Sequence, residues 1–303
     1  MEMNYDKING SVGFREADHY YGNLNDPTIK YISVTTLIEK YGKEFDKEFV
    51  SAYKALERIL SPEDWKKEKG GIWKNHRIPK DFLEVYNISQ EELNKVQQTI
   101  LDEWAETNRI ACERGTKIHS QLENSFYDAG SNITLKKFGI GGKFTCKKNY
   151  NELDMEYGVY PEYLIYYDNA KMNFHLAGQI DLLVKNKNEI VIIDHKTNAK
   201  IDLKGFYNSA NRSTDKMKYP LGHLDECNFN HYQLQLSTYA WMLQKLNPEF
   251  VVKDLILNHY DHSGKNTLYH CSYLKEEVEK MLKHYVKQQK LEQQKAKYAR
   301  IEY

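Results

Sequence analysis

The spacing of apolar positions changes along this chain, and the changes mark its elements. Ile180–Lys185 and Ile190–His195 are short apolar runs that flank the polar triplet Asn186-Lys187-Asn188. That order predicts two antiparallel strands joined by a hairpin turn. Glu162–Tyr167, just after Pro161, reads as another strand, and Phe250–Tyr260 as a further one. Trp104, Ile110, Ile118 and Leu122 recur at helical spacing and predict a helix through most of Leu101–Phe126. His231–Leu243 carries Tyr232, Leu236, Tyr239, Ala240 and Leu243 and predicts an amphipathic helix. Leu274–Tyr303 predicts a third, with Val278, Met281, Leu282 and Tyr285 on one face and a solvated end rich in Gln and Lys past Lys287.

Nearer the start, Tyr31–Leu60 predicts a short extended piece and then a helix from Val34, with Ser33 or Thr35 as N-cap. Ser61–Pro79 reads as a break, because Pro62, Gly70, Gly71 and Pro79 bracket a basic segment bearing Trp65 and Trp73. Ser89 and Glu92 form a capping box that opens another helix. The first hundred residues therefore read as mainly helical. Beyond them helix and strand alternate, which predicts an α/β fold with a central mixed sheet flanked by helices. The expected organisation is a mainly helical region at 1–103 packed on a core at 104–274, followed by a C-terminal helix and tail at 275–303.

The polar residues set into the strands carry the chemistry. Gly178-Gln179-Ile180-Asp181 reads as a turn-like step closed by a carboxylate, and the second apolar run ends in Asp194-His195-Lys196. Alternate residues of a strand share a face, so Asp194 and Lys196 project together while His195 points oppositely. Asp181 reaches the same spot from the neighbouring strand. Two carboxylates that close repel, and a hard dication such as Mg²⁺ holds both charged. A bound metal polarises a phosphoryl oxygen and lowers the pKa of a water, and Lys196 orients that water. This set suits phosphodiester hydrolysis. On the first helix His119 and Glu123 are spaced i, i+4 and offer a nitrogen and an oxygen to a nearby ion. Gly115 interrupts that helix and permits close approach of another backbone. Gln235 and Tyr239, again i, i+4, suit either hydrogen bonding to a phosphate or ordinary helix packing.

Taken in order, the motifs are Gly-Thr-x-x-His at Gly115–His119, then Glu162, Gly-x-x-Asp at Gly178–Asp181, Asp-x-Lys at Asp194–Lys196, and Gln-x-x-x-Tyr at Gln235–Tyr239. Over Trp104–Gln244 this order resembles the PD-(D/E)XK nuclease superfamily, and within it the RecB-like branch that includes phage-encoded exonucleases. Tyr31–Tyr41 and Leu224–Asn228 also look like the phage members. The resemblance implies a PD-(D/E)XK nuclease-like core and a metal-dependent DNA nuclease, an exonuclease acting at DNA ends. It implies Asp181, Asp194 and the backbone carbonyl of His195 as metal ligands, with His119 as the extra ligand of this branch. Lys196 would position the attacking water, and Glu162 would be a further acidic catalytic residue. Gln235 and Tyr239 would shape the DNA-facing wall, and Thr116 and Lys200 are further substrate-binding candidates. The implied ion is Mg²⁺, with Mn²⁺ able to substitute. Implied partners are linear DNA, single- or double-stranded, a recombination or single-strand-binding protein, and further copies of the chain. The connection Thr197–Phe229 is longer than in related proteins. Two other readings stay open: a nuclease fold that binds DNA or protein without cutting, and a structure-specific endonuclease.

Composition adjusts this picture only locally. Lysine plus arginine number 43 and aspartate plus glutamate 43, so the formal net charge is zero and not the bulk signature of a nucleic-acid binder. Two patches compensate. Lys136–Lys148 holds five lysines and no acid and, with Gly139, Gly141 and Gly142, reads as a flexible loop. Lys196–Lys218 interleaves Lys200, Lys204, Arg212 and Lys216 with Phe206 and Tyr207, a mixture that suits single-stranded or frayed DNA. The four cysteines are scattered without a C-x-x-C pair, which argues against structural zinc. Only Cys271 follows the last motif, so no iron–sulfur cluster of the RecB-like kind is expected. There is no membrane-length apolar run and no apolar signal core, so a cytoplasmic location without a membrane partner is expected, the host cytoplasm for a phage protein. His259, Asp261 and His262 read as a strand end and a turn at Gly264 rather than as a metal site. The absence of a glycine-rich phosphate loop argues against ATP-driven activity.

Overall fold

In a computed structural model, which describes residues 5–147, 156–208 and 212–299, the two apolar runs pair at the centre of an eight-stranded mixed sheet. In chain order the elements are β1 (Lys7–Asn9), β2 (Val12–Arg15), β3 (Tyr20–Asn23), β4 (Ile32–Ser33), α1 (Val34–Glu39), α2 (Lys47–Ile59), α3 (Pro62–Asn75), α4 (Phe82–Val85) and α5 (Gln90–Ala129). There follow β5 (Ile133–Leu135), β6 (Ile140–Cys146), β7 (Tyr157–Asn169), β8 (Phe174–Asn186), β9 (Glu189–Lys196), β10 (Tyr207–Asn208), β11 (Ser213–Thr214), α6 (Asn228–Leu246), β12 (Val251–Tyr260), β13 (Asn266–His270) and α7 (Lys275–Ala299). The large sheet runs β13-β12-β9-β8-β7-β6-β5, with β4 also on β8.

Two facts about this sheet position the site. First, both faces of its centre are covered. Leu182, Val184, Val191 and Ile193 pack with Phe126, Phe138 and Phe144 on one side, and Leu183, Ile190 and Ile192 pack with Leu236, Ala240, Val278 and Met281 on the other. Burial on two faces is why β8 and β9 read as continuous apolar runs, and each such side chain contributes about 1.5–3 kcal/mol. Second, β8 changes neighbours along one edge. Its start pairs in parallel with β4 at Leu176 and Ala177, and its end pairs antiparallel with β9 from Leu182 to Asn186. Residues 178–181 lie between these two partners.

The chain folds as two compact units. The larger comprises Met1–Lys43, Lys117–Tyr207 and Ser213–Tyr303 and holds the large sheet; the smaller comprises Glu44–Thr116 and Asn208–Arg212. The smaller unit is helical, with Ala55, Leu56, Trp65, Ile72, Phe82 and Ile100 in its core.

Several local expectations are corrected. Ser61–Pro79 is no break. Pro62 occupies the first turn of α3, where its missing N–H is no loss, Ser61 Oγ accepts from the Asp64 N–H, and the helix runs on through Gly70 and Gly71. Tyr31–Leu60 holds two helices, because α1 ends before Gly42, where a Cβ would lie 2.9 Å from the His231 ring. The N-cap of α1 is Ser33, accepting from the Thr36 N–H. The helix opened at Ser89 and the one expected over Leu101–Phe126 are a single 40-residue helix, α5. Lys136–Lys148 is not a loop as far as it is described: a 3-10 turn leads into β6, because Phe138 and Phe144 are buried and Gly139 and Gly142 take positive φ. Lys148 lies outside the described residues. Gly178 is in mid-strand rather than in a turn. Finally, β1, β2 and β3 form a three-stranded antiparallel sheet ahead of the helices, too short in each strand to show a period.

Candidate active site

The ladder between β8 and β9 stops at Leu182–Ile193, one step short of Asp181 and Asp194. Past that step the strands are joined by a side chain: Asp181 Oδ2 accepts the His195 N–H at 2.6 Å. The carbonyl of His195 in turn accepts from His119 Nε2 at 3.0 Å. His119 Nδ1 faces two carboxylates, 3.5 Å from Asp181 Oδ2 and 3.7 Å from Glu162 Oε1. One residue of β9 thus ties α5 to β8 through its two backbone groups.

Glu162 comes from β7. Its neighbours pair regularly with β8, Pro161 with Leu182 and Tyr163 with Ile180, which sets Glu162 opposite Asp181. Glu162 itself has φ +50°, a left-handed backbone that glutamate rarely adopts and that costs on the order of 1–2 kcal/mol. Such strain collects at functional sites.

Asp194 and Lys196 share a face of β9, as the alternation requires. Lys196 Nζ lies 2.8 Å from the buried Asp194 Oδ2, a close ion pair. Gln235 on α6 joins the pair: its Nε2 donates to Asp194 Oδ1 at 3.2 Å and its Oε1 accepts from Lys196 at 3.3 Å. Gln235 also donates to the Tyr239 hydroxyl at 3.3 Å. The Lys196 ammonium sits 4.5 Å from the centre of the Tyr232 ring. His195 points to the other face, where its Nδ1 accepts from Asn258 Nδ2 at 2.9 Å.

Electrostatics follow from burial and crowding. Burial raises the Asp181 carboxyl above its usual range; His119 opposes this and Glu162 adds to it. Burial lifts Asp194 to about 6 against the pull of Lys196, with Asp181 adding. Burial works against a charged His119, yet Asp181, Glu162 and Asp194 together hold it up at about 9. Burial works against Lys196 too, and Asp194 and Asp181 outweigh it, so the ammonium is held above the ordinary lysine value. His195 goes the other way, to about 3, through burial and the nearby cations His119, Lys137 and Lys196.

These residues fit a divalent cation. His119, Glu162 and Asp181 each place a donor atom within 4.8 Å of the others. With the His195 carbonyl they form the oxygen-rich set that Mg²⁺ or Mn²⁺ takes. The buried Asp194 carboxylate, paired with Lys196, offers a further oxygen beside this set.

Asp181, Asp194, Lys196, Glu162, His119, His195, Gln235 and Tyr239 are therefore brought into one neighbourhood. Gln235 and Tyr239 are buried, 7 % and 3 % exposed, and face the acidic group. Lys200 is exposed and paired with Asp202 at 2.8 Å. Thr116 is exposed on α5 within the smaller unit. Glu123 is not part of the histidine–carboxylate group: it accepts from Lys7 at 3.2 Å and from the Tyr127 hydroxyl at 3.1 Å. His259 bonds the Asn198 carbonyl at 2.7 Å and Asp261 caps its own turn, as expected of a strand end. Sequence reasoning missed Lys7, which also lies 3.9 Å from Glu162, and Asn258, which fixes the His195 ring. Neither belongs to a motif. A lysine in a three-residue strand and an asparagine inside an apolar run gave no signal.

A family model described as the PD-(D/E)XK nuclease superfamily matches residues 53–302. No curated protein matches the chain. Among solved structures it is similar to SSO0001, with 10% identity, 84% of each chain covered and a TM-score of 0.31. It is also similar to a candidate exonuclease from Eubacterium rectale, with 12% identity, 84% of this chain and 77% of that one covered, and a TM-score of 0.30. At that level of overlap the two structures add nothing to the family match. Among the described residues no helix is long and apolar enough to cross a membrane.

Proposed function

The chain belongs to the PD-(D/E)XK nuclease superfamily, and from that premise we propose that it is a metal-dependent deoxyribonuclease that hydrolyses phosphodiester bonds at DNA ends. The observation that carries the metal-dependent part is the cluster of His119, Glu162 and Asp181, whose donor atoms lie within 4.8 Å of one another. The exonuclease assignment and the RecB-like branch draw their support from the motif order, which places His119 before the strands and Gln235 and Tyr239 after them. Recombination, repair or genome processing is the setting such an activity would serve.

Asp181, Asp194, Glu162, His119 and the His195 carbonyl would hold Mg²⁺, with Mn²⁺ able to replace it. When bound, the ion supplies Lewis acidity at the phosphoryl oxygen and a water of low pKa. Lys196 has the other main role. Held above the ordinary lysine value, it stays an ammonium at neutral pH. It would orient the attacking water and balance phosphate charge. Gln235 fixes Lys196 and Asp194 relative to each other. The Tyr232 ring shields the ammonium from solvent on one side. Water attack at phosphorus breaks the bond to the 3′-oxygen, which leaves with a proton, and the product carries a 5′-phosphate. Thr116 and Lys200 are proposed contacts to the strand beyond the cleaved bond.

The test uses end-labelled linear and closed circular DNA, single- and double-stranded, with Mg²⁺, Mn²⁺ or chelator. Loss of linear DNA alone, only with metal, is expected. Lys196→Ala should lose cleavage by a factor of about 10²–10³ and still bind DNA. Cleavage in chelator, or a Lys196→Ala protein that cuts at the parental rate, would overturn the proposal.

A further inference from the structure

A second polar cavity, of about 610 Å³, opens beside the start of β8 and holds none of the residues discussed so far as catalytic. Its walls include Lys30, Lys40, Tyr20, Tyr31, Thr35 and Thr36. We propose that this cavity seats one nucleotide unit of a single-stranded DNA end, with its phosphate on Lys30 and Lys40 and its base against Tyr20 or Tyr31. The inference rests on the nuclease reading above and specifies the strand on which that site acts.

The charges carry the first step. Lys30 and Lys40 are exposed and have no ion-pair partner among the described residues. Other charged groups on or near this wall are already paired: Asp18 with Arg15 at 2.7 Å, and His175 with Asp168 at 2.7 Å. Two unpaired ammoniums on one concave surface favour an anion. The hydroxyls of Thr35 and Thr36, which cluster with Ser33 Oγ at 3.0 and 2.7 Å, add polar contacts.

The rings carry the second step. Tyr31 is fixed at its hydroxyl, which donates to Asp168 at 2.9 Å and accepts from Asn23 Nδ2 at 3.1 Å. Its ring is only partly buried, as is that of Tyr20. A fixed aromatic face beside unpaired cations is the combination that stacks a base and grips its phosphate without reading sequence. In a duplex the base faces are covered by their neighbours and cannot stack on a tyrosine, so the occupant is a single strand. The volume suits one nucleotide-sized group.

Position carries the third. The wall segment Ile32–Ser33 pairs with Leu176–Ala177 of β8, and Asp181 lies four residues beyond Ala177 on the same strand. At about 3.3 Å per residue that separation is about 13 Å, within reach of one strand running from cavity to carboxylates. Tyr21, on the cavity wall, is 8 % exposed and packs with Ala177 of β8 and Leu164 of β7.

The test combines Lys30→Glu with Lys40→Glu in the full chain, with Lys30→Gln/Lys40→Gln as the milder pair and Tyr20→Ala separately. Binding of a labelled oligothymidylate and of a blunt duplex is followed by fluorescence anisotropy in chelator. Hydrolysis of thymidine 5′-p-nitrophenyl phosphate, too short to span both places, is followed with Mn²⁺. The charge-reversed protein should bind the single strand at least tenfold more weakly, with a salt slope lower by roughly 0.7, from the one phosphate the two lysines share. Tyr20→Ala should weaken single-strand binding, and hydrolysis of the small ester should be unchanged in every variant. Unchanged single-strand affinity in both lysine pairs would overturn the inference. So would an equal loss for the duplex, or thymidine monophosphate competing as well as the oligonucleotide. If the parent hydrolyses neither DNA nor the small ester, the nuclease reading fails on its own, whatever the binding shows.

Discussion

Glu162 and Asp181 face each other across β7 and β8, and Glu162 does so in a left-handed backbone conformation, φ +50°. Only glycine adopts that conformation without strain. The chain therefore keeps a glutamate where the backbone alone would favour glycine. Glu162→Gly and Glu162→Ala should both lose nuclease activity, yet Glu162→Gly should be the more stable of the two by about 1 kcal/mol. Thermal unfolding of the two proteins in chelator checks this. Equal midpoints would mean that position 162 stores no strain.

Gly178 opens the Gly-x-x-Asp motif, and its role is packing. A Cβ there would lie 2.5 Å from the Tyr239 ring and 3.2 Å from Val34. Tyr239 is held in turn by Gln235, which braces Asp194 and Lys196. Gly178→Ala should therefore destabilise the protein by about 1–3 kcal/mol, as overpacking does. It should also lower cleavage more than metal binding, because the displaced ring disturbs Gln235. Denaturant unfolding together with Mn²⁺ titration tests both parts, and a mutant with parental stability would refute the close packing.

How much of this was legible in the sequence depends on the length of each signal. β8 and β9 were legible because burial on both faces leaves apolar runs, and the turn at 187–188 interrupts them. Asp181, Asp194 and Lys196 were legible because strand alternation fixes where they point. The bracing role of Gln235 was half legible: helical spacing related it to Tyr239, but nothing in spacing said that both turn inward. Other features were hidden by their own signals. Pro62 looked like a breaker, and only the cap at Ser61 makes it a helix start. Lys7 sits in a strand of three residues, and its two acidic neighbours are 116 and 155 positions away. Contacts between such distant short segments leave no local period to read.

Lys7 makes a prediction of its own. It pairs with Glu123 at 3.2 Å and lies 3.9 Å from Glu162, so at Glu162 it competes with a cation. One unit charge at this range contributes about 1 kcal/mol under solvent-screened conditions, a factor of about five in affinity. Lys7→Met should tighten Mn²⁺ binding by about that factor, read by calorimetry. Weaker Mn²⁺ binding would show instead that Lys7 holds Glu162 in place for the ion.

His119 links proton and metal. Its pKa is about 9 in the folded chain, where burial is outweighed by Asp181, Glu162 and Asp194, against an ordinary value of 6.5. The folded value is the higher one, so the stability this contributes is fully present below pH 6.5 and is lost as pH rises through 9. In chelator the unfolding midpoint should therefore fall between pH 6.5 and 9, a window above the values of about 6 for Asp194 and about 3 for His195. Metal binding reverses the demand, because a ligating imidazole must be neutral. Each Mn²⁺ bound at pH 7–8 should release about one proton, and apparent affinity should rise with pH up to 9. Calorimetry in two buffers of different ionisation enthalpy counts that proton. His119→Gln should remove both the proton release and the alkaline loss of stability. If the parent releases no proton while binding Mn²⁺, His119 is not a ligand, and the ion is held by the carboxylates and the His195 carbonyl alone.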